Sequence, residues 1–357
     1  MKSEIKSAII MGGIIAALVG GMILYFSTLD NSANSSGNTI GNLEYKKAPD
    51  LVGIAGYINS DQTIGEKIKG KVVLYDIWTY SCINCLRTIP YITAWDEKYS
   101  NQGLIIIGIH SPEFEFEKDI NNVKLAVEKF GIKYPVVLDN EKKTWNAFGN
   151  NYWPRKYLAD HQGNIRYDHI GEGEYEQTEK IIQQLLRERA DYLGMSAEPT
   201  QALVQISEFK SSSRTPELYF GYDFATGRSQ IGNPEGFRPE QDVTYFIPEK
   251  LNENNFYLEG TWKNLGDRMI LRSESGKLVL PYFAKQVNIV AAGNSELEIL
   301  LDGKVITPEI SGSDVKDGFV IIKEPTLYNL VSADLPASHT IEIHAKAGFE
   351  IYTFTFG

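Results

Sequence analysis

The chain is poor in sulfur, in histidine and in positive charge, and each shortage removes a class of function. Cys82 and Cys85 are the only cysteines among 357 residues. Two sulfurs cannot build a disulfide framework or a four-thiolate zinc site. The five histidines, at 110, 161, 169, 339 and 344, are too scattered for a metal signature, so no metal and no cofactor is expected. Lys and Arg total 35 against 46 Asp and Glu, a net charge of -11. That balance argues against a nucleic-acid partner, which needs a basic face, and favours solubility. What remains is 43% apolar and 23% charged, a globular mixture long enough for about two domains.

Charge is also missing from residues 8–26, AIIMGGIIAALVGGMILYF. These 19 residues, at about 1.5 Å each, reach roughly 28 Å, close to the thickness of a hydrocarbon core. Lys2 and Lys6 precede the run, and no Lys or Arg follows until Lys46. The positive-inside rule leaves 1–7 as a cytoplasmic tip, 8–26 as a single-pass anchor in the cell membrane, and the rest extracytoplasmic. A cleaved signal peptide is the competing reading, but the run exceeds a typical h-region and lacks a clean small-x-small site. Residues 27–48, rich in Asn, Ser and Gly, read as a flexible linker.

From 49 to 193 strand and helix patterns alternate. Compact apolar runs at 71–78 (KVVLYDIW) and 104–109 (LIIIGI) predict buried strands. Ile120, Val123, Val127 and Phe130 share a helix face that stops at Gly131. Ile181, Ile182, Leu185 and Leu186 mark a last helix from 178 to about 194, and short strands fit 136–138, 156–159 and 164–170. This order predicts an α/β domain: a mixed sheet with helices on both faces.

The two cysteines stand where the strand 71–78 passes into a helix, in WTYSCINC. Helical spacing puts both sulfurs within disulfide reach. An anionic sulfur at Cys82 would meet the unpaired N–H groups and the positive dipole end of that helix. Cys82 is then the attacking thiolate and Cys85 the resolving thiol that releases a mixed disulfide. Half of a structural zinc site is the alternative, and its other two ligands are missing.

These residues resemble the thioredoxin fold, in particular the membrane-anchored TlpA-like thiol-disulfide oxidoreductases. The resemblance implies roles for several neighbours. Asp76, six residues before Cys82, matches a buried carboxylate that moves protons for the resolving thiol. Trp78 matches the family's tryptophan, and Pro90 the kink in the active-site helix. Trp153-Pro154 matches the cis-proline step that packs on the cysteines and presents backbone to a substrate strand. Two positions depart from the pattern. Thr88 stands where many such reductases carry a glutamate, which leaves proton handling to Asp76 unless Glu113 reaches in from the loop at 110–114. Ile83-Asn84 replaces a proline-containing pair, so the direction of electron flow is not readable.

WTYSCINC, HSPEFEFEK, TWNAF with NYWP, and HIGEGEYEQTE further resemble the extracytoplasmic redox domain of DipZ-type proteins. There a polytopic electron-transfer domain often precedes this region and a β-rich domain follows it. The resemblance implies disulfide-containing protein substrates or haem-attachment cysteines, as in cytochrome c biogenesis. It also implies electrons from a separate membrane donor of CcdA type. A thiol peroxidase is a second enzyme class. Thr79-x-x-Cys82 meets part of the peroxiredoxin motif, but Tyr75 stands where that motif has proline.

Residues 194–213, with Ser211-Ser212-Ser213, read as a linker. From 214 to 357 short alternating stretches are separated by Gly, Asp, Asn and Pro turns, with a hairpin signal at Leu301-Asp302-Gly303-Lys304. The pattern predicts an all-β, jelly-roll-like sandwich. The matching region of DipZ-type proteins resembles a carbohydrate-binding module. Trp262, Tyr219, Tyr222 and Tyr282 are therefore candidates for stacking on a glycan. Core packing is the alternative for each, because fold confers no ligand. A spacer, a partner-docking role, or a surface binding protein with a secondary redox domain is the non-enzymatic alternative.

Overall fold

The computed structural model describes residues 45–196 and 202–357. The expected anchor at 8–26 and most of the linker at 27–48 lie outside them. Among the described residues no helix is long and apolar enough to cross a membrane.

A six-stranded sheet forms first, from β1 (Gly56–Ile58), β2 (Val72–Trp78), β3 (Leu104–His110), β4 (Val136–Leu138), β5 (Arg155–Ala159) and β6 (Ile165–Ile170). Its order is β1-β4-β3-β2-β5-β6. β2, β3 and β4 run parallel, and β1, β5 and β6 pair antiparallel, which is the mixed sheet the sequence predicts. Around it lie α1 (Ile64–Lys67), α2 (Ile83–Tyr99), α3 (Ile120–Lys129), α4 (Lys143–Ala147) and α5 (Tyr175–Tyr192). β1, α1 and α4 are too short to show a period in the sequence.

β2 is buried along its whole length. Its alternate residues divide between two apolar layers. Val72, Leu74 and Trp78 pack with Ile89, Ile92 and Trp95 of α2 and with Ile182 and Leu185 of α5. Val73, Tyr75 and Ile77 pack on the other side with Ile64, Trp145 and Phe148. The same alternation delivers Asp76 to the α2 side, beneath the cysteines.

The stretch read as a linker is laid down on this domain. Residues 202–213 contain no helix or strand. Even so, Val204 and Ile206 join the α2–α5 layer. The Val204 N–H donates to Glu179 Oε2 at 2.8 Å, and the Tyr91 hydroxyl donates to Ile206 O at 3.0 Å.

The remainder is an antiparallel all-β domain with one short helix, α6 (Tyr222–Ala225). Its strands are β7 (Leu218–Tyr219), β8 (Asp242–Tyr245), β9 (Tyr257–Asn264), β10 (Met269–Leu271), β11 (Ser275–Ala292), β12 (Ser295–Leu301), β13 (Lys304–Val305), β14 (Phe319–Ile322), β15 (Thr326–Lys346) and β16 (Glu350–Phe356). β11 is long enough to be shared: its first half pairs with β9 and its second half with β16. Since β10 joins β16 to β9, these four strands close a ring.

Three of the four aromatic candidates for glycan stacking are buried: Trp262 is 0%, Tyr282 1% and Tyr219 6% exposed. Trp262 and Tyr282 belong to the main apolar core. A ring enclosed on both sides offers no face to a sugar, so core packing is what these two residues do. Tyr222 is half-buried and donates its hydroxyl to Glu240 at 2.8 Å.

Candidate functional site: the cysteine pair and the charges beneath it

β2 ends at Trp78 and α2 begins at Ile83, and Cys82 is the residue that caps the helix. Its sulfur accepts the backbone N–H of Cys85 at 3.4 Å, so a donor of the helix start is aimed at the first sulfur. Both cysteines are thiols; Cys82 is partly exposed, whereas Cys85 is 1% exposed. Exposure thus separates the sulfur a substrate can reach from the one that follows. Burial, together with the hydrogen bond and charge of Cys82, pushes the Cys85 thiol well above its ordinary value. A thiol so placed needs a base.

Asp76 is 1% exposed, and its Oδ1 has no hydrogen-bond partner. Burial raises its carboxyl from 3.8 to about 7, and the charge of Lys156 opposes that rise. Lys156 stands directly across from Asp76 in the β2–β5 register and is itself fully buried. Its ammonium donates to Gly171 O at 2.9 Å. Burial pulls the Lys156 pKa down, while Asp76, Cys85 and Glu172 hold it up. Nothing in the motif pattern singles out Lys156. The available signal was alternation: Lys156 shares a face with Leu158, which lies in the α2–α5 layer.

The other expected residues fall as follows. Trp78 is 0% exposed and meets His110 edge-on, with ring centroids 5.4 Å apart. Pro90 lies inside α2. The Trp153–Pro154 peptide is cis. Pro154 O accepts the Gly171 N–H at 2.8 Å, and Trp153 Nε1 donates to Ser111 O at 2.9 Å. Thr88, in the place of the family's glutamate, donates its hydroxyl to Asn84 O at 2.9 Å and lies 3.2 Å from the Tyr175 hydroxyl.

Glu113 is the exception. Its carboxylate accepts the Tyr219 hydroxyl at 2.9 Å, on the β domain rather than at the cysteines. Burial, then the negative charges of Glu217 and Glu117, push it well up. The loop carboxylate that does turn toward the motif is Glu117, which is 0% exposed. It accepts the Ser81 hydroxyl at 2.5 Å and the N–H groups of Glu113 and Phe114 at 2.6 and 2.9 Å. Glu117 lies within the HSPEFEFEK motif, yet nothing local in the sequence separates it from the neighbouring acids Glu113 and Glu115.

The Thr79 hydroxyl lies 3.3 Å from His110 Nε2. Burial holds His110 down at about 3. Among the described residues no group of three or more His, Cys, Asp or Glu could hold a metal ion.

Comparison with known proteins agrees with this geometry. Residues 44–186 match the Redoxin family, and 215–357 match the family of thioredoxin-like C-terminal domains. DipZ of Mycobacterium tuberculosis is 36% identical over 319 residues, covering 87% of this chain and 43% of DipZ. The chain thus spans under half the length of that relative. The thiol-disulfide oxidoreductase YkuV of Bacillus subtilis is 28% identical over 140 residues, 39% of this chain and 94% of YkuV. The thiol-disulfide oxidoreductase ResA of Bacillus thuringiensis is 30% identical over 118 residues, 33% of this chain and 65% of ResA. With the capped cysteine, the buried carboxyl and the mixed sheet in place, the chain belongs to the thioredoxin-fold proteins of the TlpA/DipZ type.

Proposed function

We propose that this chain is a membrane-anchored, extracytoplasmic thiol-disulfide oxidoreductase that reduces protein disulfides. One observation carries the reading: a reachable thiol caps a helix, a buried thiol follows three residues later, and a buried carboxyl of near-neutral pKa lies beneath them. The Cys82 thiolate attacks a substrate disulfide, the substrate S–S bond breaks, and one substrate sulfur leaves as a thiol. The Asp76 carboxylate takes the proton of Cys85. The Cys85 thiolate then attacks Cys82 Sγ, the second substrate sulfur is released and protonated, and two electrons have passed to the substrate. The chain is left with a Cys82–Cys85 disulfide.

Anchoring rests on the uncharged run 8–26 and the lysines before it. A membrane donor of CcdA type would return the two electrons. Haem-attachment cysteines are the substrate class that the TlpA resemblance favours. The β domain is read as a jelly-roll-like module, for which partner docking has more support than glycan stacking, given its buried aromatics.

Two substitutions test the assignment with a small disulfide peptide as substrate. Cys82→Ser should abolish turnover, and Cys85→Ser should accumulate a covalent substrate adduct on Cys82 that thiol reagents release. Full turnover by Cys82→Ser would overturn the assigned nucleophile. Side-specific labelling of a cysteine placed in 27–44 checks the orientation of the anchor.

A further inference from the structure

The β domain meets the loop beside the cysteines at a buried phenol. Tyr219 stands on β7, where it pairs with Thr353 of β16 and its N–H donates to Gln230 Oε1 at 2.9 Å. Its ring stacks on Phe224 at 5.3 Å and lies 4.8 Å under the Arg228 guanidinium. A side chain so held is a fixed point. Its hydroxyl lies 2.9 Å from Glu113 Oε1 and also 2.9 Å from Glu217 Oε2.

One proton does not serve these three oxygens. A phenol has a single O–H to donate, and an ionised carboxylate only accepts. If the hydroxyl donates to Glu113, Glu217 carries the proton of the second contact, or the roles are exchanged. Two carboxyls that share a site retain such a proton, because both cannot ionise side by side. Glu217 is exposed, which gives the proton its way to solvent.

The surrounding charges set the balance. Lys142 opposes a proton on Glu113 and Arg228 opposes one on Glu217, whereas Glu117 favours it. Glu113 opens on a cavity of about 670 Å³, around which Glu115 pairs with Lys118 and Asp267 with Arg268, at 2.8 Å each. Glu141, Asp223 and Glu240 line the same cavity and add negative charge. That excess helps keep the proton in place.

The contact does not end at Glu113. The N–H groups of Glu113 and Phe114 donate to Glu117 Oε2 at 2.6 and 2.9 Å, and Glu117 Oε1 accepts the Ser81 hydroxyl at 2.5 Å. Ser81 immediately precedes Cys82, whose sulfur caps α2. A series of hydrogen bonds thus runs from β7 of one domain to the cysteine loop of the other.

We propose that Tyr219 is a positioning residue for the Cys82 thiol, acting through Glu113, Glu117 and Ser81, and that the tie holds while Glu113 and Glu217 share a proton. When that proton leaves, two carboxylates face one hydroxyl, the loop at 110–117 is released from β7, and Ser81 loses its brace. The tie is firm at lower pH and slack at higher pH. The inference rests on the redox reading and gives the β domain a part in it.

Two readouts on the reduced full-length chain test it. The first is amide exchange, corrected for its intrinsic dependence on pH and independent of turnover. Protection at Phe114 and Cys82 should fall at least fivefold between pH 5 and pH 9. In Tyr219→Phe, which keeps the ring without the hydroxyl, it should be low at both. In Glu217→Gln, whose amide donates to the phenol without a titrating proton, it should stay high at both. The second readout is turnover of the small disulfide peptide. The unmodified chain should exceed Tyr219→Phe at least threefold in kcat/KM at pH 6, and the two should converge by pH 9. Protection that Tyr219→Phe leaves unmoved, or a kcat/KM ratio that stays constant with pH, overturns the tie and leaves the redox reading standing. Failure of the unmodified chain to turn over the peptide at either pH overturns the redox reading, and with it the part of Tyr219 in the reaction.

Discussion

Asp76 and Lys156 oppose each other across β2 and β5, both buried; the charge of Asp76 helps push the Cys85 thiol up, and the charge of Cys85 helps hold the Lys156 ammonium up. The pair places a proton acceptor and its counter-charge behind the resolving thiol.

The first prediction concerns the carboxyl. In the fold Asp76 keeps its proton to about pH 7, against an ordinary value of 3.8. Between those values the native state holds a proton that the unfolded chain has lost, so this group's contribution to stability falls as pH rises through the window. His110 works in the opposite sense: burial moves it from 6.5 down to about 3, so its contribution rises with pH over that range. The two slopes offset in the unmodified chain between about pH 4 and 6.5. Asp76→Asn removes the falling contribution of Asp76, and urea unfolding of the two chains from pH 4 to 8 should show their curves diverging. Parallel curves would contradict a carboxyl held neutral. Resolution of the mixed disulfide should slow about a hundredfold in the same variant.

Lys156→Met is the second. Loss of the ammonium removes the charge that opposes the burial-driven rise of the Asp76 carboxyl. The carboxyl should then ionise at still higher pH, and the rising limb of the pH–rate profile should move upward by about one unit or more. A limb that stays in place would show that the two groups are not coupled.

The third targets the loop carboxylate. In Glu117→Gln one of the two acceptor oxygens becomes an NH2 donor, so either the N–H groups of Glu113 and Phe114 or the Ser81 hydroxyl loses its acceptor. The fold should lose about 1–3 kcal/mol, and amide exchange at Ser81 and Cys82 should quicken about tenfold. Unchanged exchange at those two positions would mean that Glu117 does not brace the cysteine loop.

Gly108 supplies the fourth. It faces Asp76 in the β2–β3 register, and an added Cβ would come within 2.9 Å of Trp78 Nε1 and 3.2 Å of Tyr134. Gly108→Ala should destabilise the domain by about 1–3 kcal/mol and shift the emission of Trp78. Thermal unfolding with fluorescence detection reads both effects.

The strands of the redox domain and the cysteine motif were legible because each has a local signature: unbroken apolar runs for β2 and β3, and a strand-to-helix passage at Cys82. Asp76 was legible only through likeness to a family, since one acid in an apolar strand carries no local sign of its partner. Lys156 and Glu117 were hidden for a shared physical reason. Each is a charged residue whose burial is made tolerable by groups far away in sequence, Asp76 and Gly171 O for one, Ser81 for the other. Composition placed 202–213 among the linkers, and only the packed fold shows Val204 and Ile206 tucked against α2 and α5. Glu113 was offered to the cysteines because it is near them in the loop, yet Tyr219, 106 positions away, takes it.

β2 is clasped along both edges, by β3 on one side and β5 on the other. A slip of one position would turn every side chain of that strand over. Asp76 would be exported to the layer of Trp145 and Phe148, and the phenol of Tyr75 would arrive under the sulfurs. One inserted codon within that strand would thus silence the chemistry with both thiols still in place.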